Sequence, residues 1–434
     1  MKIRALTIGT QFPFYKHQET SNIEEVLSKQ FKTFKQLIKD SSIAFSDKEI
    51  ETQTTRICTQ PLYLREKNPF KAGGANFEKE LDSLRNKIEL LNKYCKRSRI
   101  ALMACLSMLA NEFEDYGELE REFIQIVPNL LDDYMNLYTS IQIASKNKGI
   151  NLLATKDCAN IIKQIPLKDP FTTHKFTVNA NVPPDTPFFP ASYHLSEKPK
   201  FAIALEMADE VVSTIESSNG IKDFQAKLRG RFLEIYNELF PICQSIGKQN
   251  GIEFHGIDFS PAPFPEDSKS IGQAIEDLGI EYFGARGTFF GVSLIMDVIK
   301  SLDCKKIGFS GFMQPILEDS VLSKRLDGGK YNIDSLLLYS ATCGTGLDCV
   351  PLPGDVSERE IFYILLDLLS LSLSLNKPLT ARLMPIPGKK ESDRSEFESI
   401  YFCNSKMMKL KRLSAPSVKD LYENAEKIRY IKFS

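Results

Sequence analysis

The chain has 434 residues, 42 % hydrophobic and 26 % charged, which is enough apolar content for a large core and argues against a long disordered protein. Its 55 basic and 56 acidic side chains nearly cancel, so no broad basic face for nucleic acid is expected. The apolar stretches Ala101–Ala110 and Phe362–Leu375 both fall short of a membrane span of about 18 residues, and the second contains Asp367.

Strand and helix signals alternate along the chain. Ile3–Ile8 reads as an apolar strand, and Ile23–Leu37 has helical spacing through Val26, Leu27, Phe31 and Phe34. Thr54–Thr59 follows as a strand, and Phe77–Leu91 as an amphipathic helix with Leu81, Leu84 and Ile88 on its stripe. Ile100–Cys105 fits a buried strand or a helix start. Leu119–Met135 is helical, and Asn136–Ala144 is a strand or the helix's continuation. Ile150–Ile165 is expected as a helix, His174–Asn181 and Phe201–Leu205 as strands, and Ile221–Gly247 as a long helix. The rhythm continues with strands at Ile252–Phe259, Lys306–Ser310 and Thr380–Pro385. Helices are expected at Lys269–Leu278, Thr288–Leu302, Ile333–Ala341 and Ser357–Leu375. Repeated βα units imply a parallel sheet with helices packed outside it. Val182–Pro190, with four prolines, reads as an ordered loop over a site rather than a linker.

Nine scattered cysteines without a Cys-x-x-Cys pair argue against disulfides, zinc ribbons and iron–sulfur clusters, and point to a reducing cytosol. No apolar run with a cleavage site follows Lys2, so no signal peptide is expected and the cytoplasm is the expected location. A three-histidine zinc site would need three of His17, His174, His194 and His255.

The residues that carry chemistry concentrate in the C-terminal half. In Gly251-Ile-Glu-Phe-His-Gly-Ile-Asp258, Glu253 and His255 share a strand face, and Asp258 sits at the strand's C-terminal end. Those acids suit general acid–base work or cation binding; the plainer reading is a carboxylate paired with an arginine or capping a turn. Gly284-Ala-Arg-Gly-Thr288 precedes a helix, so Arg286 and free backbone N–H groups offer an anion site, or else Thr288 is simply an N-cap. Neither a Walker motif nor a dinucleotide fingerprint is present. Gln314 and Glu318 are placed to reach a pocket, with Asp319 capping the next helix. Gly344 or Gly346 terminates an apolar helix, where Cys343 gains no activation from the dipole. Asp355-Val-Ser-Glu358 has capping-box spacing. Arg382 lies inside an apolar strand and needs a partner, either a substrate carboxylate or one of Glu253, Asp258, Glu318 and Asp348.

Several of these segments together resemble the domain-of-unknown-function 711 family, also called uncharacterised protein family 0210. The carrying motifs are Gly251-Ile-Glu-Phe, Asp258-Phe-Ser-Pro-Ala-Pro263, Glu318-Asp319 and Leu337-Leu-Tyr-Ser-Ala-Thr-Cys-Gly-Thr-Gly-Leu-Asp348. They continue with Pro351-Leu-Pro-Gly-Asp355 and Lys377-Pro-Leu-Thr-Ala-Arg-Leu383. The match is close from about residue 251 to 404, where candidate site residues are densest, and patchier before. Ile3-Arg-Ala-Leu-Thr-Ile-Gly9 resembles the family's first strand, and Val178-Asn-Ala-Asn181 through Tyr193-His194 a segment ending in an aromatic–histidine pair.

The resemblance implies one α/β domain over 1–434. It is expected to be a single large barrel of about ten strands with outer helices, similar to the pyruvate formate-lyase and anaerobic ribonucleotide reductase barrel. Those enzymes carry a catalytic cysteine on a loop inside the barrel, which draws attention to Cys343. The glycyl-radical motif is absent, because only Gly388 falls in the last fifty residues. No signature for nucleotide, haem, iron–sulfur cluster or glycyl radical is found, and metal use is left open.

The function expected is an enzyme acting on a small carboxylate or amino-acid-like metabolite by polar chemistry of the lyase, isomerase or hydrolase type. Glu253, Asp258, Glu318 and Cys343 would be catalytic; His194, Arg286, Asp348 and Arg382 would bind substrate. The alternative is a metabolite sensor on an enzyme-derived barrel, with a radical enzyme fed by an external source behind both. Family association adds a small regulatory partner of the ACT type, and a homo-oligomer is the base case.

Overall fold

The computed structural model describes residues 1–12, 20–62, 75–112 and 116–432, so His17 lies outside the described residues. Twelve strands join in one sheet. They are β1 Lys2–Gly9, β2 Thr55–Cys58, β3 Leu102–Ala104, β4 Met108–Leu109, β5 Leu137–Ser145 and β6 Gly149–Asn151. Then come β7 Phe176–Ala180, β8 Lys200–Glu206, β9 Glu253–Ala262, β10 Gly346–Pro353, β11 Leu379–Ile386 and β12 Tyr430–Ile431. The main path runs β10-β11-β7-β5-β3-β2-β1-β8-β9. Strands β7, β5, β3, β2 and β1 are mutually parallel. So are β8 with β9 and β10 with β11. The two groups meet antiparallel at β1–β8 and β7–β11.

Helices cover this mostly parallel sheet. The helix Thr20–Ser46 buries Leu27, Phe31, Phe34 and Leu37, and Ile221–Asn250 buries Phe224, Leu228, Phe232, Ile235 and Leu239. Their three- and four-residue spacing puts each set on one face. The second helix stops at Gly251, whose φ of +67° is a left-handed turn that a side chain would disfavour. No helix among the described residues is long and apolar enough to cross a membrane.

Two local expectations fail, for physical reasons. β10 went unread because Pro351 and Pro353 are anti-strand signals; parallel pairing with β11 overrides them, with a register shift at Cys349, whose φ is positive. Conversely, Lys306–Ser310 is not a strand. It makes a single parallel bridge, Ile257–Lys306, and further on Pro315 bridges Asp348 of β10. Its amide groups go elsewhere. The Asp258 carboxylate accepts from Phe309 N (2.8 Å), Ser310 N (2.9 Å), Ser260 N (3.0 Å) and Ser260 Oγ (2.6 Å). The strand ladder therefore stops at β9 and β10, with 306–315 running between them. Farther along, the chain crosses itself at Gly311 and Gly344, where a Cβ on either residue would sit 2.5 Å from the other's Cα.

Asp258, itself fully buried, thus holds a loop in place by hydrogen bonds from the buried Ser260 and the half-buried Phe309 and Ser310. Asp258→Ala leaves three backbone N–H groups without an acceptor, at about 1–3 kcal/mol each. The expected loss of unfolding free energy is about 3 kcal/mol or more, read by urea denaturation. A loss below about 1 kcal/mol would show that the loop does not depend on this carboxylate.

Candidate functional site

Strand side chains alternate, so one face of each strand points outward to the helices and the other inward. The inward faces of β1, β2, β5, β10 and β11 contribute Arg4, Arg56, Tyr138, Asp348 and Arg382 to one cavity of about 220 Å³. Glu318 reaches it from the turn Ile316–Glu318. The proline-rich loop supplies Phe188 and Phe189, and Tyr401 and Phe402 line it from near the C-terminal end. Met313 and Phe171 complete an apolar wall.

The charges form a chain. Glu206 accepts from Arg4 Nη1 at 3.1 Å. Arg4 Nη2 donates to Glu318 at 2.8 Å, Arg382 Nη2 donates to the other Glu318 oxygen at 2.8 Å, and Arg382 Nε donates to Asp348 at 2.6 Å. Arg4, Glu318 and Arg382 are each only 10–13 % exposed at the side chain. Burial alone would push the Glu318 carboxyl up; Arg382 and Arg4 overcome it and hold the group below the ordinary glutamate value. Glu318 is therefore a fixed anion rather than a proton carrier. The buried Cys349 thiol donates to it at 3.4 Å and is itself pushed well up by burial, so it is an inert donor.

Arg56 stands apart. Its Nε donates to Thr54 Oγ1 at 2.9 Å, and its guanidinium lies 5.2 Å from the Phe189 ring centroid. Among the described residues, no carboxylate lies within salt-bridge distance of it. Burial, and then the neighbouring Arg4, lower its pKa to about 10, so the cation persists at neutral pH.

Next to these charges lies a neutral pair. His174 Nδ1 bonds the Phe171 carbonyl, and Tyr138 Oη is 3.0 Å from His174 Nε2. Burial depresses the His174 pKa to about 4, with Arg382 and Lys175 adding to it, so the ring is neutral at pH 7.

Of the residues singled out from sequence, Glu318, Asp348 and Arg382 come together in the cavity. The others lie elsewhere. Glu253 is exposed because it opens β9, 4.0 Å from Lys305; the strand runs on to Ala262, so Asp258 lies at its middle rather than at its C-terminal end. Asp258 is fully buried but spent on the loop amides, and burial pushes it up to about 6. Cys343 is buried outside the cavity lining, in the turn that Gly344 passes across Gly311, with its Sγ accepting from Gly346 N at 3.4 Å. Arg286 is exposed on the surface. Gly287, not Thr288, takes the N-cap position there, while Thr288 Oγ1 accepts from Gly284 N. His194 is fully buried against Asp185 (2.5 Å), outside the cavity lining. Gln314 is committed to Leu336 O, Ser340 Oγ and Gly346 O. Asp319 caps its helix as expected, accepting from Val321 N and Leu322 N, but Ser357 rather than Asp355 caps the later one. Among the described residues no group of three or more His, Cys, Asp or Glu side chains is placed to hold a metal ion.

Arg4, Arg56 and Tyr138 were missed as site residues, as was Glu206 at the end of the charge chain; His174 was named only among the four histidines from which a zinc site would have to draw. The signal that found Arg382, an arginine inside an apolar strand, was also present at Arg4 and Arg56. Nothing local marks Tyr138 or His174.

The family described as "Uncharacterised ACR (DUF711)" matches residues 1–404. A UPF0210 protein of Pyrobaculum aerophilum is 30 % identical over 292 residues, covering 65 % of this chain and 64 % of that protein. One from Lactiplantibacillus plantarum is 29 % identical over 303 residues, 66 % of each. One from Methanocaldococcus jannaschii is 27 % identical over 320 residues, 71 % of this chain and 69 % of that protein. The chain thus spans just under two thirds of the length of the first two of these relatives.

Two outcomes follow from the geometry. Arg382→Lys keeps one charge but loses the fork that serves Glu318 and Asp348 at once, and should cost about 2–3 kcal/mol by urea denaturation; an unchanged midpoint would contradict the double contact. For His174, the folded pKa of about 4 lies below the unfolded 6.5. As pH falls through that window the unfolded chain binds a proton that the folded chain refuses, so stability drops. The stability difference between wild type and His174→Phe should therefore shrink from pH 7 to pH 4.5. A constant difference would mean that the ring is not held neutral.

Proposed function

We propose, on the premise that this chain belongs to the DUF711 family, that the cavity binds a small carboxylate and that the protein is an enzyme acting on a carboxylate or amino-acid-like metabolite by polar chemistry. One observation carries this reading: Arg56 is a buried guanidinium lining a cavity with no carboxylate partner among the described residues, while Arg4 and Arg382 beside it are each taken. The lining sets three arginines against two carboxylates, Glu318 and Asp348, so with all five ionised it carries one net positive charge. A ligand anion at Arg56 would neutralise that charge. A planar carboxylate matches the guanidinium fork in two parallel hydrogen bonds. The aromatic wall of Phe188, Phe189 and Phe171 excludes water, which strengthens every charge contact inside.

The reading assigns no chemistry to Glu253, Arg286 or Cys343, which stand outside the cavity. It keeps Arg382, Asp348 and Glu318 as the electrostatic frame. It also includes closure of the sheet into a ten-stranded barrel around the cavity, with 306–315 as the tenth staff. The bridges Ile257–Lys306 on one side and Pro315–Asp348 on the other support that closure. So does the division into two parallel groups joined antiparallel at both borders.

The test is calorimetric titration of the full chain with acetate, pyruvate, glycine and benzoate. Saturable binding of at least one carboxylate is expected. Arg56→Ala should weaken it by at least about tenfold, since a charged hydrogen-bonded pair contributes about 1.5–3 kcal/mol. Absence of saturable binding throughout, or binding indifferent to Arg56→Ala, rejects the anion site. Prolonged incubation with the bound acid then separates enzyme from sensor: a new product by mass spectrometry supports turnover, and unchanged ligand supports the sensor.

A further inference from the structure

We propose that Tyr138 and His174 form the acid–base pair of this cavity, with Tyr138 exchanging a proton with the substrate and His174 storing it. The proposal rests on the carboxylate-site reading above and extends it to the proton chemistry.

The hydrogen bonds set the direction. A carbonyl oxygen only accepts, so the bond from His174 Nδ1 to Phe171 O places the imidazole proton on Nδ1. Nε2 is then a lone pair, and the Tyr138 hydroxyl 3.0 Å away donates to it. The oxygen of Tyr138 keeps its own lone pairs for a third group. Both side chains line the cavity beside Arg56 and Arg382. The imidazole is fixed by packing, with ring centroids 4.2 Å from Phe171 and 5.5 Å from Tyr138. A nucleophile or phenol, a base behind it and a third group orienting that base is the arrangement by which enzymes activate a weak acid.

The cavity carboxylates do not compete for this role. Glu318 is bridged by two guanidinium groups, and Asp348 is bonded to Arg382. The step balances as follows. A substrate O–H or C–H bond breaks and its electron pair stays on the substrate. The proton goes to the Tyr138 oxygen as the Tyr138 proton goes to His174 Nε2, leaving an imidazolium. The reverse transfer returns the proton to product. The substrate class is therefore a carboxylate with a proton-yielding C–H or O–H beside the carboxyl group.

The charged and titratable groups facing His174 are Tyr138, Arg382, Lys175 and Glu318. Arg382 and Lys175 oppose the imidazolium and Glu318 favours it. An anion seated at Arg56 opposes the two cations, so ligand binding and proton acceptance are coupled, each favouring the other. The base is switched on by the ligand it serves.

Nitrogen-15 NMR of the labelled full chain tests this, since it holds only four histidines. His174→Gln assigns the His174 signals. The probe is trifluoroacetate, a carboxylate that stays ionised across the titration, with binding followed by fluorine line broadening. The expected result is a proton on Nδ1 in the free protein and a rise of about one pH unit or more in the His174 midpoint at saturating probe. Tyr138→Phe should move the Nε2 resonance toward that of an unbonded ring nitrogen. A proton on Nε2 overturns the pair. So does probe binding that is lost in Arg56→Ala yet leaves the wild-type midpoint in place, or an Nε2 resonance indifferent to Tyr138→Phe. No line broadening in wild type overturns the anion site itself, and the pair with it.

Discussion

Glu318 sits between two arginines that belong to opposite halves of the sheet, and the interior depends on that contact. Arg4 comes from β1, in the five-strand parallel group, and Arg382 from β11, in the other. A carboxylate this buried would be costly alone, and so would either guanidinium. Together, extended by Glu206 and Asp348 at the ends, they make a chain of alternating sign in which every member has a partner. The strands must stay in register for the chain to exist. Removing one link would leave a buried charge uncompensated, which is a larger penalty than the pair's own net contribution.

This frame determines what else the cavity can do. A carboxylate locked between two arginines, as Glu318 is, is a poor proton carrier, because protonation would break two ion pairs. Such buried pairs create a field. Arg56 lies in that field without a carboxylate partner among the described residues, its guanidinium over the Phe189 ring. The neutral Tyr138–His174 pair lies between the charged and the aromatic sides, its imidazole packed on Phe171 and its pKa lowered by burial and, behind that, by Arg382.

The loops that complete the site are held by a second set of carboxylates away from it. Asp258 collects the amides of 309 and 310, and Asp319 collects those of 271, 272, 321 and 322. From sequence, Asp258 looked catalytic and Asp319 structural. In the fold both are structural, because each faces backbone N–H groups rather than a cavity. A buried aspartate after a strand is ambiguous until its surroundings are known: the same group serves a substrate or a loop.

The alternating pattern of the sequence determined the strand–helix rhythm, the buried stripes of Thr20–Ser46 and Ile221–Asn250, and the need of Arg382 for an acid. Those features follow from side-chain periods of two and about 3.6 residues, which are local. The tertiary structure alone decided which acid meets which base. Arg4 and Glu318 are 314 positions apart and touch only because β1, β11 and the turn at 316–318 converge. It also decided that Glu253, Arg286 and Cys343 lie away from the cavity, and that a tyrosine and a histidine without any local motif face it. Spacing along a chain records which face a side chain takes on its own element, whereas a site is a set of faces turned toward one another, and strand order sets that.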